Sequence, residues 1–325
     1  MEEVLEYKSE LVVFPWGDTR RYNAYSNYTK RVHGERVQKV SLDVGFTCPN
    51  RDGTKGFGGC TYCNNDSFNP SYCDPTQPLH AQIDSGIKFL NKRYGAKKYV
   101  GYLQAYSNTY APLEKLKSIY GEILSHPQIT GLVIGTRADC VDDEKLDYIA
   151  SLAKTHDITI EYGIESCYDK TLALLNRCET FEEVKVALEK TSARGIKACG
   201  HLIFGLPGES RPEMLAEAQL ISALPIGFIK LHQLHIVKGT VMAAQYKKNP
   251  ELFNLFSLDE YLDFIVDFLE LLNPKIVVER LFGEAPPDMM AGPTWGALRN
   301  DQVQKLIENH LEKRNTWQGR LYVAQ

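Results

Sequence analysis

The chain has 325 residues, of which 43% are hydrophobic, so it is long enough to form one large domain or two ordinary ones around a core. Its formal net charge of −4 provides no overall basic field, which argues against a protein that simply coats nucleic acid. The acidic start, residues 1–6, has no secretory apolar region, and no apolar run approaches the length of a membrane span. We therefore expect a soluble, cytoplasmic protein with no membrane partner.

Residues 1–38 form an N-terminal extension that is rich in basic and aromatic side chains. These are Arg20, Arg21, Tyr22, Tyr25, Tyr28, Lys30, Arg31 and Arg36. Such a stretch can follow a phosphate backbone while its rings stack on bases. It can equally form a solvated helix that covers one end of a domain. The residues alone leave both interpretations open.

From residue 39 onward, short apolar runs alternate with amphipathic helical segments. The predicted strands are Val40–Val44, Tyr99–Leu103, Ile129–Ile134, Ile158–Tyr162, Ile196–Phe204 and Phe228–Ile236. Helices are predicted near Gln77–Tyr94, from Pro112 and near Asp143–Lys154, and capping boxes predict further helix starts at Thr180, Ser210 and Ser257. Six strand–helix units in series predict a parallel α/β sheet. Because a closed barrel needs eight units, we predict an open, partial (β/α)6 TIM-like barrel with N- and C-terminal extensions.

We assign the barrel core to residues 39–272 and a C-terminal extension to residues 273–325. The extension contains a seventh extended run at Lys275–Val278, which would add an edge to the sheet, and a proline- and glycine-rich loop at Gly283–Trp295. A last helix is predicted near Gln302–Lys313. No low-complexity segment or long linker separates these parts, so we predict one core domain with an extension at each end.

The loop after the first predicted strand carries Cys48, Cys60 and Cys63 among glycines. Three thiolates without an obvious fourth indicate a metal centre with an open coordination position, which usually serves chemistry. Structural zinc with Cys73 as the fourth ligand and an iron–sulfur cluster both fit this spacing. The remaining cysteines are scattered singly, and we expect them to be small buried hydrophobic side chains: Cys140, Cys167, Cys178 and Cys199.

Polar residues also follow the other predicted strands, at the strand ends where barrels of this kind collect function. They are Gln104–Thr109, Thr136–Asp139, Gly163–Ser166, His201 with Gly205–Glu209, and Lys230, His232 and His235. A zinc ribbon would not require such a ring of polar strand ends, so the pattern favours an enzyme.

Together these residues resemble the radical S-adenosylmethionine (SAM) superfamily, over about residues 39–236. Eleven residues separate Cys48 from Cys60, a wider gap than is usual in that superfamily. With the flanking segments Asp43–Asp52 and Gly58–Cys63, the wide gap is similar to the YhcC/YtqA-like group, which is related to the Elp3-like branch.

The resemblance implies that Cys48, Cys60 and Cys63 hold a [4Fe-4S] cluster and that SAM chelates its fourth iron. It places Tyr62 near the adenine. The remaining SAM contacts that it implies are Ala105, Tyr106 and Ser107 near the methionine amino group, Glu165 and His201 near the ribose, and Arg177 at the carboxylate. Considered without the resemblance, Glu165 and Arg177 could also form a plain surface ion pair.

The resemblance also implies a reaction. The reduced cluster would cleave SAM to methionine and a 5′-deoxyadenosyl radical, which takes a hydrogen atom from the substrate, with the electron supplied by a reductant such as flavodoxin or ferredoxin. The group points to tRNA, with carboxymethylaminomethyl-type remodelling at C5 of the wobble uridine.

Basic residues that could contact phosphates are residues 20–36 together with Lys230, His232, His235, Lys238, Arg299, Lys305, Lys313, Arg314 and Arg320. All three groups could equally be ordinary solvated charge. Two alternatives stay open. One is a radical SAM enzyme that acts on a small metabolite or a protein side chain. The other is a zinc-stabilised RNA-binding scaffold without catalysis.

Overall fold

The computed structural model describes residues 12–67, 69–95, 97–296 and 298–324. The acidic start at residues 1–6 and the first part of the N-terminal extension therefore lie outside the described residues. None of the helices in these ranges is long and apolar enough to cross a membrane.

Within the described residues, seven parallel strands form one sheet, and each strand pairs with the next along the chain. The strands are β1 (Val37–Leu42), β2 (Lys98–Leu103), β3 (Ile129–Thr136), β4 (Asp157–Glu165), β5 (Lys197–Phe204), β6 (Phe228–Gln233) and β7 (Val277–Arg280). The predicted partial barrel is confirmed, and the run predicted at Lys275–Val278 supplies the seventh strand at its edge.

The described α-helices lie mainly between successive strands. They are α1 (Tyr25–His33), α2 (Leu79–Tyr94), α3 (Leu113–Leu124), α4 (Asp143–Ala153), α5 (Asp169–Leu174), α6 (Phe181–Ala193), α7 (Arg211–Ser222), α8 (Val241–Lys248), α9 (Leu258–Leu271) and α10 (Asn300–Lys313). Both hydrogen bonds of a capping box are present at Thr180, Ser210 and Ser257, so the predicted starts of α6, α7 and α9 are confirmed.

Several strand boundaries differ from the sequence prediction, and those of β1 and β6 show the reason. β1 spans Val37–Leu42 rather than Val40–Val44, because its pairing with β2 runs from Val37 opposite Lys98 to Leu42 opposite Leu103. β6 ends at Gln233 instead of Ile236. In both strands, hydrogen bonding to the neighbouring strand determines where the strand begins or ends. The prediction had placed the boundaries at the ends of the apolar run.

The N-terminal extension packs against the end of the barrel opposite the cysteine loop. The rings of Tyr25 and Tyr28 meet the edge of Phe228, the first residue of β6, at 5.9 and 5.1 Å. Helix α1 contacts both edge strands, β1 and β7. Two basic side chains of the N-terminal extension are paired within the protein, Arg20 with Glu308 at 2.8 Å and Arg31 with Asp18 at 2.8 Å. The structure therefore favours a helix that covers a domain end over a phosphate-tracking stretch.

The outer face of the sheet packs under the helices in a large apolar core, but its inner face carries charges. Lys39 on β1 contacts Glu161 on β4 and Glu279 on β7, at 2.5 Å in each case. Lys230 on β6 contacts the same carboxylates at 2.6 and 3.1 Å. β1 is not a neighbour of β4 or β7 in the sheet, so these contacts require the sheet to curve around them. We call these four residues the interior ion cluster.

Glu161 is the centre of this cluster. It is 1% exposed and accepts hydrogen bonds from both lysines and from Nε2 of His201, the last at 3.1 Å. Burial alone would raise its pKa, but Lys230 and Lys39 hold the pKa well below its ordinary value. The carboxylate is therefore charged at neutral pH and offsets two buried ammonium groups.

We predict that Glu161→Gln lowers the free energy of unfolding by about 3–5 kcal/mol, because it leaves two buried ammonium groups to share the single carboxylate of Glu279. The double variant Glu161→Gln/Lys230→Met should lose less, since the charge and its partner leave together. Urea denaturation at pH 7 measures both. The exposed pair Lys117–Glu114 provides the control, and Glu114→Gln should cause no measurable change.

The same pair predicts a pH dependence. The folded-state pKa of Glu161 is depressed, so its stabilisation is fully present above the ordinary value of 4.5 and is lost as the pH falls through the folded-state value. The stability difference between the wild type and the double variant should therefore shrink below about pH 4.5. A difference that stays constant from pH 7 to strongly acidic solution would contradict a charged Glu161.

Candidate metal and cofactor site

A cavity of about 220 Å³ opens at the C-terminal ends of the strands. It brings together almost all of the predicted site residues, although they come from five different segments of the chain. Those lining it are Cys48, Cys60, Tyr62, Cys63, Tyr106, Ser107, Glu165, Arg177 and His201. Ala105 is buried at 3% exposure and is not part of the lining.

Main-chain hydrogen bonds hold the cysteine loop in place. The amide of Thr61 donates to the carbonyl of Leu175 at 2.9 Å, and the carbonyl of Thr61 accepts from the amide of Met242 at 2.8 Å. The side chain of Asn176 donates to the carbonyl of Gly59 at 2.9 Å. The loop is therefore fixed to the segment after α5 and to the start of α8, which leaves its thiols in a defined position.

Donors from three side chains approach the cysteine sulfurs. Nδ2 of Asn50 lies 3.6 Å and Nη1 of Arg177 lies 3.8 Å from Sγ of Cys60, and Nη1 of Arg51 lies 3.9 Å from Sγ of Cys63. Donors and positive charges beside sulfur favour thiolate ligands and tune iron–sulfur clusters. Three converging thiols with this cationic surround fit a cluster held by three cysteines.

The thiol of Cys63 is not an intrinsically acidic group. Burial, followed by the neighbouring Cys60, raises its pKa to about 11, against the opposing effect of Arg51. A thiol of this kind gives up its proton when a metal binds, so assembly of a metal centre here is coupled to proton release.

Cys73, the fourth ligand in the zinc interpretation, points elsewhere. Its thiol donates to the carbonyl of Ser41 at 3.0 Å, and burial raises its pKa to about 12. It does not line the cavity. The expectation of burial holds for Cys140, Cys167 and Cys199 but is wrong for Cys178, which is exposed. Cys178 has a φ of 51°, in the tight turn between α5 and α6, and this turn leaves its side chain in solvent.

Arg177 and Glu165 lie 3.7 Å apart, but they are not a surface pair, since Arg177 is 6% exposed. Glu179 at 3.1 Å and the carbonyl of Gly163 at 2.5 Å orient the guanidinium. A Cβ at Gly163 would lie 2.4 Å from Oε1 of Glu165 and 2.9 Å from Nη2 of Arg177. The absence of a side chain at residue 163 therefore makes room for both groups at the cavity wall.

Two lining residues have a left-handed backbone that side chains rarely adopt, Tyr106 with φ of 61° and Glu165 with φ of 66°. Tyr106 is also covered by the guanidinium of Arg51, 5.3 Å from its ring centre. Oγ of Ser107 is buried without a hydrogen-bond partner among the described residues. Such local strain and an unused polar atom are expected where a ligand completes the structure.

Several basic residues that the sequence offered for phosphate contacts serve other purposes. Lys230 is wrong as a phosphate contact, because it is 2% exposed and belongs to the interior ion cluster. Burial lowers the pKa of His232 well below its ordinary value and that of His235 to about 4, so both rings are neutral at pH 7. Arg314 and Arg320 are paired with Glu270, at 3.0 and 2.6 Å. Lys238, Arg299, Lys305 and Lys313 are exposed.

Sequence reasoning did not assign a role to Asn50, Arg51, Glu161 or Arg280, all of which bear on the cavity. Asn50 and Arg51 lie in the cysteine motif itself, so their position was a usable signal. Glu161 is a charged residue inside an apolar strand, which was a second signal. Arg280 ends β7, lines the cavity and has no side-chain hydrogen bond or ion pair with any described residue. No pattern in the sequence indicated it.

Comparison with known protein families gives two matches. The family model described as the radical SAM superfamily matches residues 47–221, and the one described as the radical SAM C-terminal domain matches residues 226–313. The first of these contains the three cysteines of the cavity. The second contains β6, β7 and the C-terminal segments that follow them.

Relatives cover nearly the whole chain. The chain is 35% identical over 310 residues to the uncharacterized protein YtqA of Bacillus subtilis (95% of each chain) and 34% identical over 274 residues to YhcC of Escherichia coli K12 (84% of this chain, 87% of YhcC). It is 24% identical over 205 residues to a tRNA uridine(34) acetyltransferase of Dehalococcoides mccartyi (62% of this chain, 43% of that protein).

Among solved structures, the fold is similar to that of the archaeal Elp3 of Methanocaldococcus infernus with an N-terminal deletion. The TM-score is 0.65 at 16% sequence identity, over 87% of this chain and 64% of that chain. At this identity the likeness concerns the fold.

We predict that single alanine substitutions of Cys48, Cys60 and Cys63 each abolish iron–sulfur absorbance near 400 nm, because a cluster that loses one of three ligands is not retained. Cys73→Ala and Cys178→Ala are the matched controls and should keep the absorbance, since neither thiol faces the cavity. Iron, sulfide and zinc analysis of anaerobically purified protein provides the measurement. A colourless protein containing zinc would instead support the scaffold alternative.

Proposed function

Because the chain belongs to the radical SAM superfamily, within its YhcC/YtqA-like group, we propose that it modifies the C5 side chain of the wobble uridine in tRNA. Radical SAM enzymes bind a [4Fe-4S] cluster and SAM, which together supply reductive cleavage of SAM and removal of a hydrogen atom from an unactivated carbon. The remodelling we propose is of the carboxymethylaminomethyl type.

The observation that carries the proposal is the convergence of the three thiols with the residues of the opposite cavity wall. In our proposal Cys48, Cys60 and Cys63 hold the cluster. Arg51 and Arg177 offset the charge of the thiolates, and Asn50 donates a hydrogen bond to Cys60. A cluster held by these three cysteines would keep one iron without a protein ligand and so open to SAM.

The cavity wall provides a group of suitable chemistry for each part of SAM. Arg177, held by Glu179 and the carbonyl of Gly163, is placed to receive a carboxylate. Glu165 can accept hydrogen bonds from ribose hydroxyls, with His201 on the neighbouring strand. The segment Ala105–Ser107 would meet the methionine amino group, where the unpartnered Oγ of Ser107 is an acceptor. Tyr62, at the cysteine loop, offers a ring face to the adenine.

Two observations support tRNA as the substrate. The chain is similar to tRNA uridine(34) acetyltransferases, whose name states their target, over about three fifths of its length. In addition, the exposed guanidinium of Arg280 at the cavity has no described partner, so it is available for a phosphate close to the reacting atoms. Exposed Lys305 and Lys313 belong to the same C-terminal half of the chain and extend the set of candidate phosphate contacts.

The reaction needs one electron for each SAM cleaved, so a protein reductant such as flavodoxin or ferredoxin is part of the proposal. Cys63 is the least buried of the three cysteines, and Phe57 in the same loop is 79% exposed. The loop therefore brings the metal site close to the surface, as electron transfer from a partner requires.

We predict that Gly163→Ala raises the dissociation constant for SAM about tenfold or more. The added Cβ displaces Glu165 and Arg177, and loss of one hydrogen bond to a charged group costs about 1.5–3 kcal/mol. Equilibrium binding of SAM to cluster-loaded protein measures this. Gly121→Ala in α3 is the control, because a Cβ there meets nothing within 4 Å. An unchanged affinity in Gly163→Ala would contradict the proposed SAM position.

We also predict that the reduced, cluster-loaded protein converts SAM to 5′-deoxyadenosine and that added tRNA increases the rate. If 5′-deoxyadenosine forms at the same rate with and without tRNA, the radical chemistry is supported and the substrate is instead a small molecule or a protein side chain. No product from an iron-loaded, reducible sample would contradict the radical chemistry. An unchanged tRNA nucleoside profile in a deletion strain would contradict the substrate.

A further inference from the structure

A second cavity of about 230 Å³ adjoins the first. Gln233, Leu234 and His235, at the end of β6, line both cavities and form their shared wall. The other walls come from the end of the α8–α9 connection and from the C-terminal segment between β7 and α10. We call it the C-terminal chamber. A ligand in it would lie beside the proposed SAM site without occupying it.

The described walls of the chamber include three aromatic rings and one carboxylate, that of Glu284. Phe256, Phe282 and Trp295 contribute rings, and no lysine or arginine occurs among the described lining residues. The indole N–H of Trp295 donates to the carbonyl of Phe256 at 2.9 Å, so this donor is already used within the protein. Such walls suit a flat, uncharged ring and do not suit a phosphate.

The polar group at the shared wall has a defined orientation. The amide of Gly283 donates to Oε1 of Gln233 at 2.8 Å, and Nε2 of Gln233 donates to the carbonyl of Gly283 at 3.2 Å. These two bonds fix the amide orientation of Gln233. Its Nε2 also donates to Nε2 of His235 at 2.9 Å. The ring nitrogen of His235 on that side must therefore be the acceptor.

The tautomer of His235 follows from this contact. Burial lowers its pKa to about 4, so the ring is neutral at pH 7 and its proton resides on Nδ1. No described residue accepts from that Nδ1–H. The shared wall thus carries one hydrogen-bond donor without charge, a suitable partner for a ring carbonyl. His232, which lines the first cavity, adds a buried Nε2 without a described partner.

We propose that the C-terminal chamber binds the nucleobase that the enzyme modifies, flipped out of its RNA and stacked on the aromatic walls. The proposal rests on the proposed function. Enzymes that act on a base commonly extrude it into a pocket that reads it by stacking and hydrogen bonds. The shared wall lets the ring stay in the chamber while a substituent reaches the SAM cavity. A carbonyl bound to His235 suits uracil, because O4 is attached to the carbon next to C5.

The first test uses Trp295 as a reporter. The chain has three tryptophans, and the other two, Trp16 and Trp317, both pack against Phe14 in the N-terminal region. In the cluster-loaded variant Trp16→Phe/Trp317→Phe with SAM, the emission of Trp295 is recorded while an anticodon stem–loop RNA with uridine at the wobble position is added. We expect quenching by this RNA and none by the same RNA with an abasic site there.

A second test fills the chamber. Leu298 lines it and is 38% exposed, so Leu298→Tyr should occupy part of the volume without disturbing the core. We expect the dissociation constant for the stem–loop RNA, measured by fluorescence anisotropy, to rise about tenfold or more, the effect of losing a stacked base. Leu321→Tyr is the matched control outside the chamber and should leave both RNA binding and SAM cleavage unchanged.

The outcomes separate the two proposals. Equal quenching by both RNAs, or no effect of Leu298→Tyr, together with RNA-dependent 5′-deoxyadenosine production, would overturn the chamber and leave the tRNA function standing. If the stem–loop RNA neither binds nor alters SAM cleavage, the proposed function fails and the chamber proposal fails with it. Quenching that requires the base, with weaker binding in Leu298→Tyr alone, is the supporting result.

Discussion

The buried carboxylate of Glu161 is the interaction on which the arrangement of this half-barrel depends. Lys39 on one edge of the sheet and Lys230 near the other both contact it, while Glu279 on the far edge strand contacts both lysines. Charges on non-neighbouring strands can meet only if the sheet curves. The desolvation cost of each buried charge is offset only when all the partners are present, so the cluster favours one curvature.

One member of the interior ion cluster, Glu161, also lines the first cavity. Glu161 accepts a hydrogen bond from His201, and Lys230 donates to the hydroxyl of Tyr102 at 3.0 Å. Both His201 and Tyr102 line the cavity. The buried charges of Glu161 and Lys230 thus orient two side chains, His201 and Tyr102, that line the proposed cofactor site. A partial barrel with an apolar interior would have no comparable means of orienting polar groups at its open end.

The cysteine loop and the segment after α5 are interdependent. The carbonyl of Leu175 and the side-chain amide of Asn176 hold the loop, and Arg177, the next residue, approaches Cys60. One short segment therefore fixes the loop and places the cation beside its sulfur. On the other side of the cavity, the end of β6 separates the proposed SAM position from the C-terminal chamber, which gives cofactor and substrate adjoining sites.

Much of the fold and the central part of the site could be predicted from the sequence. Six strand–helix units, three capping boxes and the loop with Cys48, Cys60 and Cys63 are local patterns. Such patterns can be recognised from the spacing of residues along the chain. The resemblance added the SAM contacts, and the structure brings all of them except Ala105 into the lining of one cavity. Boundaries such as that of β1 were less accurate, because the neighbouring strand decides them.

The sequence by itself determined which residues form strands and helices, and that three cysteines lie at a strand end, because these properties depend on neighbours in the chain. Only the tertiary structure decided that Lys230 is buried against Glu161 rather than available to a phosphate, that Cys73 faces away from the cavity, and that Arg280 faces into it. The physical reason is that burial, charge pairing and pKa depend on residues far apart in the chain, which meet only when the sheet curves.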